Sequence, residues 1–139
     1  MKAHLASGTA AIILDATRAA EPEEACGLLF GSFGTEGWTI DAASLAENVA
    51  SAPCRRFEVD PVHLIEVQRA ARAGGPRPVG VWHSHPDGRP TPSAIDRQGV
   101  SDFDWLWLIA AGGRLAAWAP ERDGAFRAIP LLDGAAPVR

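Results

Sequence analysis

The sequence is poor in the features that define several protein classes. Only two of its 139 residues are cysteine, Cys26 and Cys54. They form neither a disulfide framework nor a C-x-x-C pair, so a disulfide-stapled secreted scaffold is excluded and a reducing, cytoplasmic compartment is expected. Apolar runs are short. Ala10 to Leu14 is cut by Asp15, and the stretch bearing Lys2 and His4 is no signal peptide, so neither a membrane span nor a membrane partner is expected. Excess charge is modest: 13 Lys and Arg against 17 Asp and Glu leave a net charge of −4. No basic patch stands out, which argues against nucleic acid as a partner. Repeats, low-complexity tracts and long linkers are also missing. What remains is one domain spanning 1–139, with 47% hydrophobic and 22% charged residues. A chain of this size buries roughly two-thirds of its unfolded surface, enough for a core of its own.

Local patterns predict an α+β (mixed α/β) fold, a central, mostly antiparallel sheet flanked by helices. Ser7-Gly8-Thr9 opens a helix whose apolar face is read as Ile12, Ala16 and Ala19, and Pro22 blocks it. Ala25 to Gly31 suits a buried strand, Gly37 to Asp41 its return, and Arg56 to Val59 a further strand by alternation. Asp60-Pro61 opens a second helix as N-cap and first position, with apolar contacts expected from Val62, Leu64 and Ile65. Val79 to His83 is strongly β-prone. Thr91-Pro92-Ser93 suggests a cap with proline at the first helical position. Trp105 to Ala111 is apolar throughout, as in a strand covered on both faces. Leu115–Ala119 and Ala125–Leu131 make a hairpin around the Asp123-Gly124 turn.

The densest metal-capable residues fall in one stretch, His83-Ser84-His85 and then Ser93-Ala94-Ile95-Asp96. On a strand, residues i and i+2 share a face, so His83 and His85 can offer two imidazoles to one ion. Asp96 follows after a loop and the first turn of a helix, which can return a carboxylate over the strand end. Two histidines, one carboxylate and a water compose the open site of a hydrolytic zinc centre. Ser93 shares a helix face with Asp96 at i, i+3. An isolated H-x-H is weak evidence, because such pairs arise by chance; the S-x-x-D at loop-closing distance strengthens it.

His83-Ser84-His85-Pro86 followed by Pro92-Ser93-x-x-Asp96 resembles the H-[ST]-H-P-x(7)-S-x-x-D signature of the JAMM (JAB or MPN-plus) zinc metalloproteases. Upstream, Pro22-Glu23-Glu24-Ala25-Cys26-Gly27-Leu28-Leu29-Phe30-Gly31 is similar to that family's P-x-E-x-C-G-L-L-x-G segment. Asn48 and Phe57-x-x-Asp60-Pro61 also match prokaryotic members. The likeness runs from about residue 5 to 130. It implies a JAB/MPN-like fold, related in architecture to cytidine deaminases, with Zn2+ bound by His83, His85 and Asp96. It also implies Glu24 as general base and Ser93 as the group that steadies the oxyanion. Glu23 is the competing carboxylate; neighbours on a strand face opposite ways, and the motif register favours Glu24.

The activity implied is hydrolysis of a peptide or isopeptide bond after the C-terminal glycine of a ubiquitin-like protein. Its partner would be that protein or its conjugate, with a ubiquitin-activating-like enzyme from the same operon as a second partner. Release of an amino acid from a ubiquitin-like sulfur carrier is the alternative setting. The Ala, Gly, Pro and Arg content suggests a GC-rich bacterial genome. A non-catalytic MPN scaffold is disfavoured because all five site residues are present. DNA-repair relatives are disfavoured by the acidic charge, and zinc deaminases by the missing C-x-x-C. Other residues are expected to be structural: Cys26 and Trp107 in the core with Trp105, Trp82 packed away from the histidines, Cys54 a free thiol, His4 and His63 without ligand partners, and Arg55-Arg56 solvated.

Overall fold

The computed structural model describes residues 1–134; the last five positions of the expected domain, 135–139, lie outside the described residues. In chain order the elements are β1 (Lys2–Leu5), α1 (Thr9–Ala20), β2 (Cys26–Gly34), β3 (Gly37–Ala43), α2 (Pro61–Arg72), β4 (Pro78–Ser84), α3 (Ala94–Gln98), β5 (Leu106–Ala111), β6 (Arg114–Pro120), β7 (Phe126–Ile129) and β8 (Leu131–Asp133). The strands form one sheet in the order β7-β6-β5-β4-β2-β3-β1-β8. Four of its pairings are antiparallel and three parallel. The expected mixed α/β class and central sheet are both present.

Both faces of the sheet are covered, and the alternation of side chains says why. Leu29, Trp82, Leu106, Leu108 and Ala110 enter one buried cluster together with Ile13 of α1. Leu28, Val81 and Trp107, each one residue out of phase, enter the second, where Leu64 and Val67 of α2 pack. Period-two geometry therefore sends Trp82 to the face opposite Val81 and His83. Trp107 is buried in the second cluster and Trp105 packs at its margin. Among the described residues, no helix is long and apolar enough to cross a membrane.

Several local expectations need correction. The core face of α1 carries Thr9 and Ile13, while Ile12 is 49% exposed. Adjacent isoleucines lie about 100° apart on a helix, so only one can face the sheet, and an Ala-rich run leaves the phase open in sequence. Val62 and Ile65 of α2 are likewise exposed, and Leu64 does the packing. Arg56 to Val59 is no strand: it makes a single bridge, Asn48 to Val59, and the backbone of Arg56 and Glu58 bonds instead to the Asn48 side chain. Ser93, rather than Thr91, caps α3. The last hairpin strand stops at Ile129, because Leu131 begins β8, paired in parallel with β1 at the opposite edge. Only Pro130 separates the two edge strands. A one-residue step of a few ångströms can join opposite edges only in a sheet curled far enough to bring them together. Strand β1 escapes a sequence reading since four residues give too little alternation to register.

Candidate active site

Strand register assembles the site. Cys26 pairs with His83 across the antiparallel β2–β4 ladder. Continued past the strand ends, that register sets Ala25 against Ser84 and Glu24 level with His85. Two bonds lock the continuation: Ala25 N–H donates to Ser84 Oγ at 2.8 Å, and Ser84 N–H donates to Ala25 O at 3.0 Å. On the other side, His85 N–H donates to Ala110 O at 2.9 Å. From the loop beyond, α3 returns Asp96. Its capping box is complete, with Asp96 N–H donating to Ser93 Oγ at 3.0 Å and Ser93 N–H donating to Asp96 Oδ2 at 2.9 Å.

The side chains converge on one point. His83 Nε2 lies 3.0 Å from His85 Nε2 and 3.1 Å from Asp96 Oδ1, and His85 Nε2 lies 3.0 Å from Asp96 Oδ2. Glu24, His83 and His85 each bring a ligand-capable atom within 4.8 Å of the others. All four residues are buried, whereas Glu23 is exposed. Ser93 is half-buried, with its oxygen accepting from Asp96 N–H, an arrangement that leaves its hydroxyl hydrogen uncommitted by that bond. The structure thus brings together Glu24, His83, His85 and Asp96, with Ser93 beside them. His63 bonds Ser44 Oγ through Nε2 at 2.8 Å, away from this group.

The donor set could hold a cation. His85 Nδ1 lies 2.7 Å from Arg89 O, and a carbonyl only accepts, so Nδ1 carries the hydrogen. In the neutral ring Nε2 is then a lone pair, facing a second imidazole nitrogen and a carboxylate oxygen. Acceptors this close need a proton or a metal ion among them. Their 3.0–3.1 Å spacings are near the ~3.3 Å edge that tetrahedral zinc bonds of about 2.0–2.1 Å produce. His83 Nδ1 and Glu24 Oε1 are buried without a hydrogen-bond partner among the described residues. Nitrogen and carboxylate donors of this kind suit zinc.

Electrostatics follow from burial and mutual contact. Burial pushes the Glu24 carboxyl up to about 7, against the pull of His85. Burial also lowers His83. Burial pulls His85 down too, but hydrogen bonds to Asp96 and to the Arg89 carbonyl outweigh it and leave the ring raised. Although burial acts to raise Asp96, the hydrogen bonds from both histidines hold it well below the usual carboxylate range. The Cys26 thiol is pushed up to about 12 by burial and by Glu24, so it stays protonated and takes no part as a nucleophile. Cys54 is exposed.

Three contributors were not assigned roles from sequence. Ser84 pins the segment carrying Glu24. Phe57 stacks on the His83 ring, centroids 4.2 Å apart, with Trp107 edge-on at 5.6 Å. Asn48 donates to Glu24 O at 2.9 Å. Each lies within or near a motif segment, but no residue type announces a backbone partner. The 86–92 loop is anchored by Trp118 Nε1, which donates to Pro90 O at 3.0 Å. A groove of about 580 Å³ runs up to Asp96, lined by Phe57, Val59, Leu64, Val81 and Trp107 among others.

Comparison with known proteins bears on this geometry. Residues 7–124 match the family described as prokaryotic homologs of the JAB domain. The chain is 37% identical over 97 residues to a desampylase of Haloferax volcanii, covering 69% of this chain and 68% of that one. A solution structure of a protein from Desulfitobacterium hafniense superposes with a TM-score of 0.82 at 24% identity, covering 94% and 92% of the two chains. A JAB1/MPN domain protein from Archaeoglobus fulgidus superposes with a TM-score of 0.57 at 21% identity, covering 95% and 99%. Both likenesses concern the fold.

Proposed function

The chain belongs to the prokaryotic JAB-domain family, and on that premise we propose that it is a zinc-dependent peptidase or isopeptidase. Its substrate is a ubiquitin-like protein, processed or released from a conjugate by cleavage after the C-terminal glycine. The observation that carries this reading is the buried convergence of two imidazoles and a carboxylate at 3.0–3.1 Å, with Glu24 alongside. The desampylase relative supports the reaction class. A scaffold module would have no use for so costly a cluster of buried polar groups.

In this reading His83, His85 and Asp96 hold the ion. A zinc ion held there would supply Lewis acidity toward a water and toward the carbonyl to be cut. Glu24 takes a proton on its carboxylate and delivers it to the leaving amine, a task suited to a group raised to about 7. Ser93 donates its hydroxyl hydrogen to the carbonyl oxygen as charge develops there. The position of Asp96 is itself set by the α3 cap. The Arg89 carbonyl fixes the His85 tautomer. An extended tail can lie along the strand end, with the anchored 86–92 loop as one wall, and small residues at the scissile carbonyl avoid collision there.

The test is cleavage of a ubiquitin-like protein encoded beside this gene, fused through its terminal glycine to a lysine side chain or short peptide. Cleavage is expected immediately after the glycine, and is lost on chelation, in Glu24→Gln, and when the tail glycine becomes leucine. Comparable hydrolysis of unrelated unfolded peptides would contradict the substrate assignment.

A further inference from the structure

Glu24 precedes β2, so no ladder bonds hold it, and its Oε1 has no partner among the described residues. Its position is set through its backbone. Glu24 N–H donates to Pro53 O at 2.7 Å, and Glu24 O accepts from Asn48 Nδ2 at 2.9 Å. Both contacts lead to one side chain, because Asn48 Nδ2 also faces Pro53 O at 3.4 Å and Arg56 O at 3.1 Å. The Asn48 Oδ1 accepts from Ala50 N–H at 3.1 Å and Glu58 N–H at 3.0 Å. An Asn carboxamide offers two donor hydrogens and two acceptor lone pairs, and here every one is engaged by backbone. Aspartate cannot donate, and alanine can do neither.

We propose that Asn48 is a positioning residue for Glu24, clamping the 50–58 loop against the Glu24 backbone so that its carboxylate is held at the histidine pair. The proposal rests on the reading of Glu24 as the proton carrier. A carboxylate displaced by about 1 Å from its working position costs on the order of 10²-fold in rate.

The experiment is a double-mutant cycle on the glycine-tailed fusion, joining Asn48→Asp and Asn48→Ala to Glu24→Gln. Either Asn48 variant is expected to lower kcat about 10–10²-fold and to leave KM and zinc stoichiometry unchanged. In the Glu24→Gln background the same changes are expected to have no further effect, since the group they position is already gone. Amide exchange at Glu24 and Ala25 in the metal-free protein is expected to speed up, while exchange in β5 stays slow. Losses that multiply in the cycle, a raised KM with kcat intact, unchanged exchange at Glu24, or failure of both Asn48 variants to fold would each overturn the positioning role. Undiminished turnover of Glu24→Gln alone would overturn the proton-carrier reading and this proposal with it.

Discussion

At the scale of single residues, protonation of the site's side chains would govern how it takes up the proposed zinc ion. Burial raises Glu24 to about 7, and the contacts of His85 with Asp96 and Arg89 raise that ring above its ordinary value. Both shifts favour the protonated form, which opposes a cation in the site. The sign follows: both groups keep their protons to higher pH than they ordinarily would, so zinc affinity is expected to fall as pH drops through the region near 7. Competition titrations against a chromophoric chelator across the neutral range should show affinity rising with pH, with proton release on binding. A pH-independent affinity would contradict the assignment of these groups. The residues that converge in the candidate site were legible in sequence because His83, His85, Ser93 and Asp96 fall within one short stretch at strand and helix spacings. Glu24 was legible only through its motif, and Asn48, Ser84 and Phe57 were opaque in role. Their work consists of a carboxamide meeting backbone carbonyls, a hydroxyl accepting an amide, and a ring lying on an imidazole, none of which leaves a periodic trace.

Among the elements, β2 shows how one small residue holds the site's frame. A Cβ placed on Gly27 would lie 1.8 Å from Ser44 O and 2.4 Å from Trp82 Nε1. Those two atoms are themselves bonded, Trp82 Nε1 donating to Ser44 O at 2.8 Å. Gly27→Ala must force β2 away from the segment after β3 or break that bond. Overpacking of this kind costs typically about 1–3 kcal/mol. Urea denaturation should show a lowered midpoint with an unchanged slope; a midpoint equal to wild type would contradict the close packing. Elements bounded by caps and glycines were the ones read well from sequence. Asp60-Pro61 starts α2, with Asp60 accepting from Val62 N–H. The long apolar run became β5, buried throughout. Helix faces were read less well. In α1 eight of the twelve positions are apolar, and only the sheet beneath decides that Ile13 turns inward and Ile12 outward. Short strands such as β1 and β8 are defined by their partners rather than by their own residues.

For the whole molecule, the site sits on a frame that does not need it. One buried cluster lies under α1 and another under α2, and the sheet between them is continuous from β7 to β8. A core of this kind is self-sufficient, unlike that of a zinc finger. Chelation is therefore expected to leave the far-ultraviolet circular dichroism spectrum in place. Zinc added back should raise the thermal midpoint by mass action. A random-coil spectrum after chelation would contradict that independence. The central claim, that His83, His85 and Asp96 together hold one zinc ion beside Glu24, is tested most directly by elemental analysis of purified protein. Wild type and Glu24→Gln should each carry about one zinc per chain, and His85→Ala and Asp96→Ala close to none. Undiminished zinc in His85→Ala, or its loss in Glu24→Gln, would contradict the account.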